Sequence, residues 1–256
     1  MKITKTVFSL AVFSVLFSGS VLANNYPFPQ AIAHHGIKPN QTQSQLNNDI
    51  SNFYNHWKSH YLQVANSGGY FINGADADGQ AQGTSESHGY GMVITALMAG
   101  YDPQAKATFN GLYQFFNNHR SSINNELMGW YINQQESGSG NYSSATDGDM
   151  DIAYSLLLAD QQWGSTGNIN YRQEAIDMIN LGIESHLLHH GSKRLMRGDW
   201  DQDALTTRSS DWMISHLRSY QAITNRSIWT EAIDEIYTMI DEINSHHAVT
   251  TGLMPD

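Results

Sequence analysis

A chain of 256 residues that is 40% hydrophobic and 14% charged has enough apolar material for one sizeable core and too much for disorder. Its formal net charge of −11, without basic clusters, argues against nucleic acid as a partner; it suits a neutral or cationic polymer, although solubility accounts for acidity equally well. The absence of cysteine excludes disulfides and thiolate metal sites.

In chain order, Lys2 and Lys5 precede an apolar run over residues 7–17, which leads to Val21-Leu22-Ala23. The run is too short to span a bilayer, so residues 1–23 read as a secretory signal peptide, and the protein as secreted or periplasmic. Residues 24–256 are then the mature domain, with no membrane partner once the signal is removed. Residues 24–41, with Pro27, Pro29 and Pro39, read as an extended lead-in. A helix follows over 43–62, with Leu46, Ile50, Phe53, Trp57 and Tyr61 spaced to face the core. Residues 67–83 form a long loop with a short aromatic strand or turn near Tyr70–Ile72; ordered loops of that length are usually functional.

That loop delivers Ser85-Glu86-Ser87-His88-Gly89-Tyr90-Gly91-Met92 and then an apolar helix. Glu86 stands where a capping or first-turn acid would stand. The glycines bracketing Tyr90 weaken a helix start but permit close approach of another backbone or a ligand. Residues 104–119 read as a helix with Phe109, Leu112, Phe115 and Phe116 inward, and Trp130 follows in Leu127-Met128-Gly129-Trp130-Tyr131. General burial habits favour a core role for such a tryptophan. Beyond the Gly/Ser loop at 134–143, Ser143, Ser144 and Thr146 are good N-cap residues, and Asp147, Asp149 and Asp151 crowd the turn. Ile152, Leu156, Ala159 and Trp163 then line one helix face. Carboxylates at a helix start are favoured by its dipole, but capping needs fewer than stand here.

A helix over 171–190 places Ile176, Ile179, Ile183 and Leu187 inward. His186, His189 and His190 have metal-compatible spacing, yet no carboxylate motif accompanies them; they read as a polar helix end, and no metal site is assigned. Arg197-Gly198-Asp199-Trp200-Asp201 forms a loop with an aromatic at its tip. Arg208-Ser209-Ser210-Asp211 caps a helix over 212–224, and a last helix covers 227–245. The pattern is all-α, helical hairpins joined by alternately short and long loops, without the fixed-letter repeat of an open solenoid.

The stretch from Ala145 to Trp163 resembles the signature of glycoside hydrolase family 8: Ala, Ser/Thr, Asp, Ala/Gly, Asp, two variable residues, Ile/Met, Ala, and an apolar helix ending in an aromatic. The Ser-Glu-x-x-Gly-Tyr-Gly-Met motif resembles the segment carrying that family's proton donor, and Glu86 is the matching residue. The resemblance implies a closed (α/α)6 barrel whose long loops build a cleft, and an inverting acid/base mechanism. Asp147 is expected to hold the sugar at the cleaved bond and help its ring distort. Trp130, Trp200, Tyr90 and Asp149 are the candidate substrate contacts. In a regular helix Asp147 and Asp149 point roughly opposite ways. A proton donor must keep its proton, so Glu86 should be partly buried.

No motif supplies the general base; the resemblance places it beyond Asp256. The fewer than twelve helices legible here likewise imply a C-terminally truncated domain with apolar faces left bare. The leading functional expectation is an endo-acting hydrolase of β-1,4-linked glucan, cellulose or mixed-linkage, acting as a monomer on a polysaccharide without a cofactor. The Arg208–Asp211 segment resembles one found in the chitosanase and lichenase branch of the family. Two alternatives stay open: a chitosanase on the same scaffold, slightly favoured by the acidic charge and the overall similarity to chitosanase-type members, and an inactive carbohydrate-binding fragment.

Overall fold

Residues 39–74, 81–133 and 142–254 are described by a computed structural model; the expected signal peptide lies outside the described residues. Helix α1 (Gln43–Tyr61) starts at a Thr42–Gln45 capping box. It runs into an antiparallel pair of short strands, β1 (Leu62–Val64) and β2 (Tyr70–Ile72), with Leu62 opposite Ile72. Strand β3 (Ala81–Thr84) pairs with β4 (Tyr131–Asn133), setting Thr84 opposite Tyr131.

Between and beyond these strands lie α2 (Ser85–Leu97), α3 (Ala105–Asn118), α4 (Thr146–Trp163), α5 (Tyr171–Asp177), α6 (Ile214–Thr224) and α7 (Ile228–His246). Helix α5 continues without a break into a π-helical stretch, Met178–Leu187. Neighbours in sequence pack as hairpins, α2 with α3, α4 with α5 and α6 with α7, while α2, α4 and α6 touch in succession as an inner row. This is the hairpin arrangement expected of an (α/α)6 barrel.

The core lies between inner and outer rows. Phe109, Leu112, Phe115 and Phe116 of α3 are buried, as are Ile152, Leu156, Ala159 and Trp163 of α4. Phe109 meets Trp163 at 5.4 Å and Tyr171 edge-on at 5.6 Å between centroids, a geometry that suits the ring quadrupoles. On α5 and its extension Ile179, Ile183 and Leu187 are buried as expected, whereas Ile176 is half-buried beside fully buried Ala175. Outer α7 buries Trp229, Ala232, Ile236 and Met239 at helical spacing.

Helix α1 departs from its expected face. Tyr54 is its buried side chain, while Ile50, Phe53 and Tyr61 are exposed; Ile50 and Phe53 line a shallow apolar groove with Ile94, Leu97 and Met98. Trp57 still packs against the core, and polar contacts fasten the helix further: Tyr54 and Lys58 both donate to Asp102 Oδ2 at 2.6 Å. Burial works against the Asp102 charge, but Lys58, Tyr54 and the Gln104 N–H outweigh it and hold the carboxyl below its usual range. A depressed carboxylate contributes stability that is complete above its unfolded range, about pH 4, and is lost as pH falls through its folded value. Asp102→Asn should therefore lower the urea midpoint near about pH 6 and matter much less near about pH 3. Equal midpoints for the two proteins near neutrality would remove this anchor from the account.

Candidate active site

The two sequence motifs meet where α2 crosses α4. Helix α2 starts at Thr84, whose side chain accepts from Ser87 N at 3.3 Å while Ser87 Oγ accepts from Thr84 N at 3.0 Å. Glu86 thus lies in the first turn, half-buried, with Ser85 Oγ donating to its Oε2 at 3.3 Å. The partial burial required of a proton donor is present.

Glycines on both helices make the crossing possible. A Cβ on Gly148 would fall 2.6 Å from Ser85 C and 2.7 Å from Glu86 N; one on Gly89 would fall 2.8 Å from Gly148 O. Real side chains do not approach backbone so closely, so these glycines let the helices touch backbone to backbone. Glu86 is thereby set beside the first turn of α4, which carries Asp147. This is the close approach of another backbone that the bracketing glycines suggest.

Loops tie the aromatic candidates to the same place. Trp130 O accepts from Ser85 N at 2.9 Å, and Trp130 N donates to Ser143 O at 2.9 Å. The Trp130 indole is 41% exposed, so it is not the core residue that burial habits favour; Tyr131 and Tyr142 back it at 5.3 and 6.5 Å. From the other side, Thr146 N donates to Arg197 O at 3.2 Å. The loop carrying Trp200 is held by Asp199, which accepts from Ser144 N at 2.8 Å and from Ser121 Oγ, while Asp199 N donates to Ser144 Oγ. Trp200 is half-exposed, with the Arg197 guanidinium 4.9 Å from its ring. Glu86, Asp147, Trp130 and Trp200 therefore flank the N-terminal end of α4.

Asp149 does not share this surface, and its expected substrate contact gives way to a structural role. Its side chain is fully buried, and Oδ1 accepts from Met128 N at 2.8 Å, fixing the strand of chain that leads to Trp130. Burial raises its carboxyl well above the ordinary range, against the Met128 amide and the Ser144 hydroxyl. Pointing opposite to Asp147, as a regular helix requires, sends it into the core. The N-cap is likewise Ala145, without a side-chain cap; Thr146 Oγ1 instead donates to Met196 O and Ser144 to the Asp199 network. Those hydroxyls hold the loops rather than the helix end.

Tyr90, one turn beyond Glu86, is 55% exposed. Burial of its phenol raises its pKa, and the carboxylates of Asp151, Asp147 and Glu86 act in the same direction. The sequence does not single out His216 of α6, whose Nε2 lies 2.9 Å from Asp151 Oδ1; nothing local to its Ser-His-Leu context signals that pairing. His186, His189 and His190 are engaged with Asn124, Ser192 and the Glu184 carbonyl, and among the described residues no group of His, Asp or Glu is placed to hold a metal ion.

The surface joins a half-buried carboxyl group, a second carboxylate beside it and exposed indoles, the set needed to protonate and grip a glycosidic bond. A family profile described as glycosyl hydrolases family 8 matches residues 34–256. The chain is 45% identical over 241 residues to an endoglucanase of Bacillus sp. (strain KSM-330), covering 90% of this chain and 52% of that protein. It is 43% identical to a beta-glucanase of Niallia circulans, covering 96% and 61% respectively. The solved apo structure of a beta-1,3-1,4-glucanase from Paenibacillus sp. X4 superposes with a TM-score of 0.81 at 45% identity, over 86% of this chain and 58% of that one. The chain thus spans somewhat over half the length of these relatives.

Proposed function

Because the chain belongs to glycosyl hydrolases family 8, we propose that it is an exported, monomeric, endo-acting hydrolase of β-1,4-linked glucan that works by inversion. The observation that carries this reading is the glycine-mediated contact of α2 and α4, which sets Glu86 beside Asp147 between exposed tryptophans. In this mechanism Glu86 delivers its proton to the glycosidic oxygen as the bond to the anomeric carbon breaks. Asp147 accepts hydrogen bonds from hydroxyls of the sugar on the bond's non-reducing side and favours its distorted ring. Water adds to the anomeric carbon from the opposite face and gives its proton to a base about 6.5–9.5 Å from the donor in such enzymes; no described residue is assigned that role. The names of the relatives, all glucanases, favour glucan over chitosan as substrate. Among the described residues no helix is long and apolar enough to cross a membrane.

The stereochemistry tests the reading. Proton NMR of a fresh digest of soluble β-glucan should show the α anomer of the new reducing end first, before mutarotation. A β anomer appearing first would mean retention and a different disposition of carboxylates.

The tryptophans supply a second test. Trp130→Ala and Trp200→Ala should each weaken cello-oligosaccharide binding by roughly 1–3 kcal/mol, the scale of a lost large aromatic contact. Unchanged binding together with a much lower melting temperature would return both rings to a packing role.

A further inference from the structure

A second rung of polar side chains stands one helical turn below Glu86 and Asp147. Tyr90 follows Glu86 by one turn of α2, and Asp151 follows Asp147 by one turn of α4, so each lies on the same face as its predecessor. The crossing presses the rungs together, since a Cβ on Gly89 would fall 2.7 Å from Asp151 Cβ. Asp151 is 6% exposed; its Oδ1 takes a hydrogen bond from His216 Nε2 at 2.9 Å, while Oδ2 is buried without a hydrogen-bond partner among the described residues. A buried carboxylate oxygen left unpaired is costly, so a nearby donor that can reach it is favoured as its partner.

His216 is itself oriented on several sides. Its ring lies 4.1 Å from that of Tyr154, and Nδ1 is 3.2 Å from Ser215 Oγ. With Nε2 donating to Asp151, Nδ1 is free to accept from that hydroxyl. One turn later Tyr220 OH donates to Met150 O at 2.6 Å, so α6 grips α4 on both sides of the pair. The Tyr90 phenol is half-exposed nearby, and after burial itself, among the charged groups that raise its pKa, Asp151 acts most strongly.

We propose that His216 and Asp151 are positioning residues for Tyr90: with a sugar in the groove, the free oxygen of Asp151 accepts the Tyr90 phenolic hydrogen and steadies the ring against the neutral pyranose beside the cleaved bond. His216 acts through Asp151, holding Oδ1 so that Oδ2 faces the phenol. The inference rests on the reading of this groove as the glucan-hydrolysing site.

Steady-state kinetics on soluble mixed-linkage β-glucan test it in the full chain. His216→Ala and Asp151→Ala should each raise KM roughly tenfold while kcat changes only about two- to threefold. His216→Gln, which keeps an N–H donor, should recover most of the loss. Tyr90→Phe should have the same effect as Asp151→Ala, and the double variant should be no worse than either single one, since both remove one hydrogen bond. Additive effects of Tyr90→Phe and Asp151→Ala, or an unchanged KM in both His216→Ala and Asp151→Ala, would overturn the proposal and leave the pair as a clamp between helices. Should Asp151→Ala fail to fold, His216→Ala read against His216→Gln carries the same comparison. A readout that needs no substrate separates this from the wider assignment: in NMR of 13C-ζ-labelled tyrosine, the Tyr90 signal, identified by its loss in Tyr90→Phe, should titrate at lower pH when Asp151 is replaced by Ala. If the wild-type protein cleaves no glucan, the site reading fails; an unchanged Tyr90 titration in Asp151→Ala then overturns the pair as well.

Discussion

Replacing Glu86 by Gln is expected to lower the rate of glucan hydrolysis by roughly 10²–10⁴-fold, the usual contribution of a positioned general acid. Glutamine keeps the shape and can still accept the Ser85 hydroxyl that now donates to Glu86 Oε2. It cannot give a proton to a leaving oxygen. Oligosaccharide affinity should stay within a few-fold, because the surfaces that grip the polymer, Trp130 and Trp200, are untouched and already exposed. Such a result would appear as a fall in kcat with little change in KM. Near-normal turnover of Glu86→Gln would move the donor elsewhere and make Glu86 a helix-start acid of the ordinary kind.

The other large effect concerns Gly148, where one methyl group should both destabilise and disable the protein. An alanine Cβ would meet backbone atoms Ser85 C at 2.6 Å and Glu86 N at 2.7 Å, and neither is the far end of a flexible side chain. Helices α2 and α4 must separate to admit it, at about 1–3 kcal/mol, the scale of core overpacking. Because the atoms displaced belong to Glu86 and its neighbour, the donor shifts relative to Asp147; a misplacement of about 1 Å can reduce catalysis on the order of 10²-fold. Gly167 provides the control, because a Cβ added there would meet nothing within 4 Å and its φ is not positive. Gly167→Ala should stay within about 0.5 kcal/mol of wild type. Equal denaturation midpoints for Gly148→Ala and Gly167→Ala would show that the close crossing is not what joins the two motifs.

Much of the fold can be read from periodicity, and the places where it cannot have physical causes. Helices α3 and α4 follow their apolar spacing because each turns one face into the core between the inner and outer rows. The apolar stripe of α1 misleads in part: Trp57 packs inward, but Ile50, Phe53 and Tyr61 stay exposed while Tyr54 and Lys58 turn to Asp102, a contact between residues distant in sequence. Thr146 and Ser144 look like caps, yet their hydroxyls serve the Met196 and Asp199 segments, which no local pattern reveals. At the site, Glu86, Asp147, Tyr90 and the tryptophans stand in dense motifs, and the fold brings Glu86, Asp147 and the tryptophans to one end of α4. Asp149 is misread for the same reason: it shares the motif but faces the core, where its carboxyl serves Met128. His216 is invisible in the sequence because its partner lies two helices away and becomes its neighbour only through the inner row of α2, α4 and α6.

The central claim is that this surface cuts a neutral β-1,4-linked glucan within the chain, and one measurement addresses it most directly. The purified protein is incubated in parallel with soluble mixed-linkage β-glucan and with soluble chitosan, and viscosity and reducing ends are followed together. The account predicts an early, steep fall in glucan viscosity with few reducing ends released, and no change in chitosan. Hydrolysis of chitosan with glucan untouched, or glucan reducing ends rising without loss of viscosity, would contradict it.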